Sequence, residues 1–542
     1  MKYVNYLYYY TFIVYAFIFL HSTTQPKTTP SIVCVVIIDS LSFLQLSHAQ
    51  PYMHGGIKTL LENGITYTQA HVPHGLPVTS PGHTGIATGT FPSLHGIIAN
   101  QWYDKTTGHL IQSDHTLKKN STSPYNEDDT PSSALCLVPT SGDYLTEHST
   151  IKKGFKVSSI GIKRYPTILT AGKKGSPFWL DPYSGTFTTT PAALTRLPRW
   201  IKRFNTQLSQ HYPMYITWNS CYPLSHKAYA SCDYRSYLFT KESLINRSHA
   251  LPHTTFPPFD TLSSLPFSNQ LVFACALHQL HDHKHRAPQD HLLLWLCLSS
   301  HDTINHHFGP ESFESFDTLY QIDKQLHQFM QAVDTLYPKD TVCYILTADH
   351  GSSPLPELMN LRGYNAARLP LQELIRSINK TVSTLYGIPK AIECGLSTQL
   401  YLHNDVHTSP DKDAIMYLIC SIIASVKGIR NVWTVNTLFF PPTSPQHWLI
   451  QQQWFSQRSG DIFYLAEPFH YVTTYDDGTE HNNPYSWNTH VPLILYQHDH
   501  YEHKDITQPV FTLQIAATIA HLFKQPTCIH SKALPPLPEL FP

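Results

Sequence analysis

Residues 31–39 read Ser-Ile-Val-Cys-Val-Val-Ile-Ile-Asp, and this stretch decides the fold class. Apart from Cys34, every residue from Ile32 to Ile38 is β-branched. A run with no polar alternation must be covered on both faces, which is the pattern of a central strand in a largely parallel sheet. Working outward, the same pattern returns at Leu292–Leu298, Thr341–Leu346 and Val491–Tyr496. Helical periodicity fills the intervals, for example over Phe316–Leu336 and Asp413–Lys427. Alternation of this kind predicts an α/β fold, a mainly parallel central sheet sandwiched by helices.

Two intervals break the rhythm. Residues about 200–265 are rich in Pro, Ser, Tyr and His and read as a loop-rich insertion. Residues about 385–470 carry strand, helix and strand signals (398–403, 413–427, 431–438), the pattern of a small α+β subdomain. The core is then discontinuous, a catalytic-sized body over 26–530 whose insertions cap one sheet edge. Residues 531–542 form a Pro-rich end that reads as an extended tail. Before the body, residues 1–25 place one lysine ahead of an almost uncharged stretch from Tyr3 to Leu20. This reads as an export signal, either cleaved or kept as an N-terminal anchor, so contact with a membrane is expected only through that segment.

The 542 residues are 42% hydrophobic and 14% charged, with a formal net charge of −1. No basic run or stripe is present, which argues against a nucleic-acid-binding surface. Export permits disulfides, and Cys221 and Cys232, in one turn-rich segment, are the pair to test for a bridge. The histidines at 278, 281, 283 and 285 read as a solvated loop.

The chemistry-bearing residues stand at the ends of the buried strands. Asp39 closes the first run; Asp302 follows Leu298 by four residues, with His306 one helical turn further on. Asp349 and His350 close the 341–346 run, and His490 stands just ahead of Val491. Ligands of open α/β sheets bind at the carboxyl ends of the parallel strands. Three aspartates and three histidines converging there would bind two metal ions through mixed oxygen and nitrogen ligands. Such a set suits zinc, although other divalent metals also accept it, and a close ion pair serves phosphoryl transfer. The nucleophile candidates are Thr79 and Ser80 in Thr79-Ser-Pro-Gly-His83. Pro81 suits a first helical turn, so the hydroxyls fall at a helix N-terminus, beside free N–H groups that favour an anion.

The whole pattern resembles the alkaline phosphatase superfamily, in particular its single-chain members with a threonine nucleophile. Nucleotide pyrophosphatase/phosphodiesterases form a sister group. The motifs that carry the resemblance are Thr-Ser-Pro-Gly-His at 79–83, Thr-Gly-Thr-x-Pro-x-x-His-Gly-Ile at 88–97, Asp302-x-x-x-His306-x-Phe-Gly-Pro310, Thr-Ala-Asp-His-Gly at 347–351 and Thr489-His-Val-Pro-Leu493. The resemblance implies two Zn2+ ions, one held by Asp302, His306 and His490. The other is held by Asp39, Asp349 and His350 together with the Thr79 oxygen. It also implies that Asn100 and Lys163 hold phosphoryl oxygens.

In one place the chain departs from the pattern. Where the monoesterases carry Lys-x-Arg, this sequence has Lys163-Arg164-Tyr165, so tyrosine stands in the arginine's place unless the turn shifts by one residue. The expectation is an exported phosphomonoesterase acting on small phosphorylated substrates through a phospho-threonine. The alternatives are a phosphodiesterase or nucleotide pyrophosphatase of the same superfamily, or a non-catalytic binder of phospho-ligands.

Overall fold

The computed structural model describes residues 28–115, 130–148, 154–181, 184–211, 215–232, 245, 248–250, 262–474, 477–526 and 534–540. Residues 1–25 therefore lie outside the described residues, and no described helix is long and apolar enough to cross a membrane.

The run that opened the reading is β1 (Ile32–Ile38), buried along its whole length. It joins β2 (Ile65–Tyr67), β3 (Phe155–Gly161), β4 (Ser176–Leu180), β5 (Phe187–Thr188), β6 (His291–Leu298), β7 (Val342–Thr347), β8 (Leu493–Gln497) and β9 (Lys504–Ile506). Together they form one sheet in the order β9-β2-β8-β7-β1-β6-β3-β4-β5. The central neighbours β7, β1, β6 and β3 are all parallel. Successive residues of β1 serve opposite cores: Ile32, Cys34, Val36 and Ile38 pack with one cluster, Val33, Val35 and Ile37 with the other. Burying each such side chain stabilises the fold by about 1.5–3 kcal/mol, which is why the run carries no polar residue.

The sequence pattern groups β8 with the parallel strands, but it runs antiparallel to β7. A strand apolar on both faces carries no mark of its direction. The helices that matter below are α1 (Thr79–Thr88), α2 (Arg164–Ala171), α3 (Phe267–Arg286), α4 (Ser300–Phe308), α5 (Phe313–Leu336), α6 (Leu371–Tyr386) and α7 (Lys412–Ser425). The histidine-rich 278–285 run is the end of α3, not a loop. Leu271, Val272, Cys275, Ala276 and Leu280 form its buried stripe at helical spacing, and His283 joins them by pairing Nδ1 with the Tyr337 hydroxyl at 3.0 Å.

Between residues 200 and 265 the described part is more ordered than its composition suggests. A helix, Arg199–His211, precedes a strand pair, Tyr215–Thr217 with Ser248–Ala250. The buried carboxylate of Asp317 on α5 ties this segment down, accepting from Trp218 Nε1 (2.6 Å), Cys221 N (2.7 Å) and Tyr229 OH (2.6 Å). Cys221 and Cys232 are both free thiols.

The small subdomain begins earlier than its strand signals, at α6. It is a four-stranded antiparallel sheet in the order Ile392–Leu396, Gln399–Leu402, Ile462–Ala466, Ile429–Thr434. Ile378 and Val382 of α6 and Ile415, Ile419 and Ile423 of α7 cover it. The last expected strand, 431–438, ends at Thr434, whose side chain caps a helical turn over Val435–Leu438. The Pro-rich end lies against the body: Leu537 and Leu540 are buried in the second core, Leu537 N donates to Thr518 Oγ1 (2.9 Å), and Tyr67 OH donates to Pro538 O (2.9 Å).

Candidate active site

Four adjacent parallel strands deliver the charged groups. Asp349 follows β7, Asp39 follows β1, Asp302 lies in the first turn of α4 after β6, and Lys163 follows β3 as the cap residue of α2. Thr79 arrives from the side, at the first position of α1. The approach is close: a Cβ at Gly82 would lie 2.6 Å from Asp349 O, so only glycine lets α1 rest on the strand end.

Two groups of three potential ligands form there, Asp39 with Asp349 and His350, and Asp302 with His306 and His481. In each group the candidate ligand atoms lie within 4.8 Å of one another. The tautomers of the three histidines follow from their other contacts. His350 Nδ1 donates to Gly351 O (2.9 Å), His306 Nδ1 to Thr479 O (2.8 Å) and His481 Nδ1 to Pro77 O (2.8 Å). A carbonyl only accepts, so each Nδ1 carries the proton and each Nε2 presents a lone pair.

Those lone pairs face acceptors, not donors. His306 and His481 bring their Nε2 atoms to 3.1 Å of each other, and Asp302 Oδ1 lies 3.5 Å and 3.6 Å from them. Asp39 Oδ1 is 3.4 Å from His350 Nε2. Neither Asp39 Oδ1 nor Asp302 Oδ1 has a hydrogen-bond partner, although both are buried. Ligands about 2.1 Å from a tetrahedral cation stand about 3.4 Å apart, so these spacings are those of a coordination shell. The residues fit a divalent cation in each group.

Electrostatics point the same way. Asp39 is pushed well above the usual carboxylate range by burial and by Asp302 and Asp349 beside it. Burial acts on Asp302 too, but Lys163 and His306 outweigh it and hold that carboxyl well below its usual range. Lys163 Nζ lies between them, 3.1 Å from Asp39 Oδ2 and 2.5 Å from Asp302 Oδ2. Burial lowers His481 strongly, and its histidine neighbours His350 and His306 add to this, which favours a neutral imidazole with its Nε2 lone pair free for a metal.

Thr79 Oγ1 lies 3.5 Å from His350 Nε2. Asn100 Oδ1 accepts from Ser80 N (2.8 Å), which leaves its Nδ2 for the cavity it lines. The 163–165 turn keeps its register. Arg164 is turned away and binds Asp114 through Nε (2.6 Å) and Nη2 (3.2 Å). Tyr165 instead lines the cavity, with its phenol beside the Thr79 side chain. Burial pushes its phenol up to about 12, so it stays a neutral donor.

His490 is the one expected ligand the structure does not bring in. It pairs in a two-residue strand with His71, donates from Nε2 to Thr68 O (2.8 Å), and stacks between Phe43 and His71. His481 takes that place. Strand adjacency singled out His490, whereas His481 sits in the turn-rich run Gly478-Thr-Glu-His-Asn-Asn-Pro484, with no strand to mark it. Gly478 (φ +72°) and the bond from Thr479 N to His306 O (3.0 Å) lock that loop against α4. Two further residues escaped the reading. His83 Nδ1 lies 3.0 Å from Asp349 Oδ2, and Ser40, at φ +70°, turns its N–H to Asp349 Oδ1 (3.2 Å).

A cavity of about 630 Å³ opens above these groups, and the subdomain forms its far wall through Leu371, Gly395, Leu396 and Ser397. A family model described as type I phosphodiesterase / nucleotide pyrophosphatase matches residues 33–491. The chain is 25% identical over 485 residues to alkaline phosphatase PhoV of Synechococcus elongatus, covering 87% of this chain and 86% of that protein. It is also 25% identical over 525 residues to alkaline phosphatase PafA of Elizabethkingia meningoseptica, covering 92% and 93%. The crystal structure of wild-type PafA matches with a TM-score of 0.80 at 23% identity, over 95% of this chain and 99% of that one. Human ectonucleotide pyrophosphatase/phosphodiesterase 5 shares the fold at a TM-score of 0.52 and 13% identity, over 93% and 96%. The strand-end ligand groups, the fold around them and the match over most of the chain lead to one conclusion: the chain belongs to the type I phosphodiesterase / nucleotide pyrophosphatase family of the alkaline phosphatase superfamily and is a phosphoric ester hydrolase.

Proposed function

We propose that the protein is an exported phosphomonoesterase that hydrolyses small phosphate monoesters through a phospho-threonine at Thr79, with a zinc ion in each ligand group. The observation that carries this reading is that unprotonated Nε2 atoms face unpartnered carboxylate oxygens in both groups, with the Thr79 hydroxyl 3.5 Å from His350 Nε2. Zinc bound there would supply Lewis-acid charge that makes a hydroxyl or water nucleophilic and eases departure of the ester oxygen. Export rests on the apolar stretch from Tyr3 to Leu20.

The chain's own groups supply the rest. The N-terminus of α1 presents Thr79 with its backbone dipole toward an anion. The Thr79 oxygen bonds to phosphorus as the bond to the alcohol oxygen breaks. Lys163 and the Asn100 amide donate to non-bridging oxygens, and Tyr165 adds one neutral donor beside the nucleophile. Water then cleaves the phospho-threonine and restores Thr79.

The test is turnover of p-nitrophenyl phosphate against bis-p-nitrophenyl phosphate by zinc-loaded protein. A higher kcat/KM for the monoester supports the reading; a higher value for the diester makes the protein a phosphodiesterase, and no turnover of either makes it a binder. One observation favours the diesterase: with Arg164 on Asp114 and Tyr165 in the site, Lys163 is the one lysine or arginine among the described residues that line the cavity. A charge-assisted hydrogen bond is about twice as strong as a neutral one. Tyr165→Arg is therefore expected to raise monoester kcat/KM by ~10-fold, ~1.4 kcal/mol, and diester kcat/KM much less. Arg164→Ala is expected to leave the ratio unmoved; a steep monoester loss in that variant would show that Arg164 reaches the phosphate.

Chelation is expected to abolish turnover, and zinc to restore it better than magnesium or calcium, because histidine nitrogens make up half of the six ligands. Full activity in magnesium after exhaustive removal of zinc would contradict the choice of metal.

A further inference from the structure

Beyond Lys163 and the ligand groups, carboxylates are the charged side chains among the described residues that line the cavity. Its phosphoryl end carries Lys163, already shared between Asp39 and Asp302. Among the described residues that line the rest of it there is no lysine or arginine; there are His307 and two carboxylates, the exposed Asp477 and Glu480, which burial pushes above the usual carboxylate range and which accepts from Thr473 Oγ1 (3.3 Å). Arg368 lies behind this loop and is matched, its guanidinium forked onto Glu357 (Nε–Oε1 2.7 Å, Nη2–Oε2 2.9 Å) and bonded to the Asp477 and Gly478 carbonyls. Leu371 and Leu396 of the subdomain, with Val472, add an apolar wall to the cavity.

An alcohol leaving group must occupy this outer part, because the phosphoryl group occupies the inner. Its carbon skeleton meets the apolar wall, and any charge it carries meets Asp477 and Glu480. A second anionic group on the substrate, such as a carboxylate or a further phosphate, is repelled there, where no lysine or arginine among the described lining residues can pair with it. We infer that this chamber selects phosphate monoesters whose alcohol is uncharged or cationic, with Asp477 and Glu480 as the specificity-determining residues. The inference rests on the monoesterase reading above and goes beyond it, to the class of alcohol.

Three esters that share one ring separate charge from size: 4-methylphenyl, 4-(aminomethyl)phenyl and 4-(carboxymethyl)phenyl phosphate, assayed with the zinc-loaded full chain at low salt. The expected result is a kcat/KM for the carboxymethyl ester about 10-fold below that of the methyl ester, with the aminomethyl ester equal to or above it. Added salt narrows the gap, because Asp477 is exposed. Asp477→Lys, on the cavity rim, should close or invert the gap between the carboxymethyl and methyl esters. Equal turnover of the carboxymethyl and methyl esters at low salt, or a ratio that Asp477→Lys does not move, would overturn the inference. A protein inert on all three esters but active on bis-p-nitrophenyl phosphate would overturn the monoesterase reading and this inference with it.

Discussion

Thr79→Ala lowers kcat for phosphate monoesters by ~10³-fold or more while the protein keeps its fold and its metal. On the proposed reading the hydroxyl forms the covalent bond, and removal of a nucleophile from a preorganised site costs rates of that order or greater. Its structural contacts are few: His350 Nε2 at 3.5 Å and the Tyr165 phenol. The six acidic and imidazole ligands remain, so metal content should match that of the parent protein. Steady-state rates beside metal analysis check both halves. A rate near that of the parent would move the nucleophile to water or to Ser80, whose Oγ is paired with Ser113 Oγ at 2.8 Å.

The second large effect separates two histidines nine residues apart. His481→Ala removes the Nε2 that faces His306 Nε2 and Asp302 Oδ1, leaving two ligands in that group. Bound metal is expected to fall from one ion per group to one in all, and turnover by ~100-fold or more. His490→Ala is expected to keep both ions and most of the activity. It loses stacking on Phe43 and His71, a stability cost of about 1 kcal/mol that thermal unfolding would register. The reverse outcome, metal lost from His490→Ala and retained in His481→Ala, would return the ligand role to His490.

This contrast also marks the limit of what the sequence made legible. The strand ends are readable because burial on both faces leaves a signature: an unbroken apolar run, followed within four residues by an acid whose charge cannot enter the core. Asp39, Asp302 and Asp349 were found that way, and His306 and His350 by their fixed offsets along the chain. His481 has no such marker, since its loop is held by a contact with α4 nearly two hundred residues earlier. His490 satisfied the local rule and failed the three-dimensional one.

Other misses share this cause. β8 lies between β2 and β7, and its direction is set by the path on which the chain enters the sheet, which its own residues do not encode. The histidines at the end of α3 look like a polar loop until their apolar spacing, from Leu271 to Leu280, is counted at helical period. The 163–165 turn shows the opposite case. Its register was readable from sequence, and the structure adds why Arg164 turns away, because the buried carboxylate of Asp114 holds it.

The most direct test is to ask where the phosphoryl group goes. Zinc-loaded protein is mixed with a fast monoester, quenched in acid within the first turnovers, digested and mapped. The account predicts phosphate on the peptide that contains Thr79, absent from Thr79→Ala and much reduced in His481→Ala. Steady turnover with no phosphorylated peptide, or with phosphate on a residue other than Thr79, would contradict it.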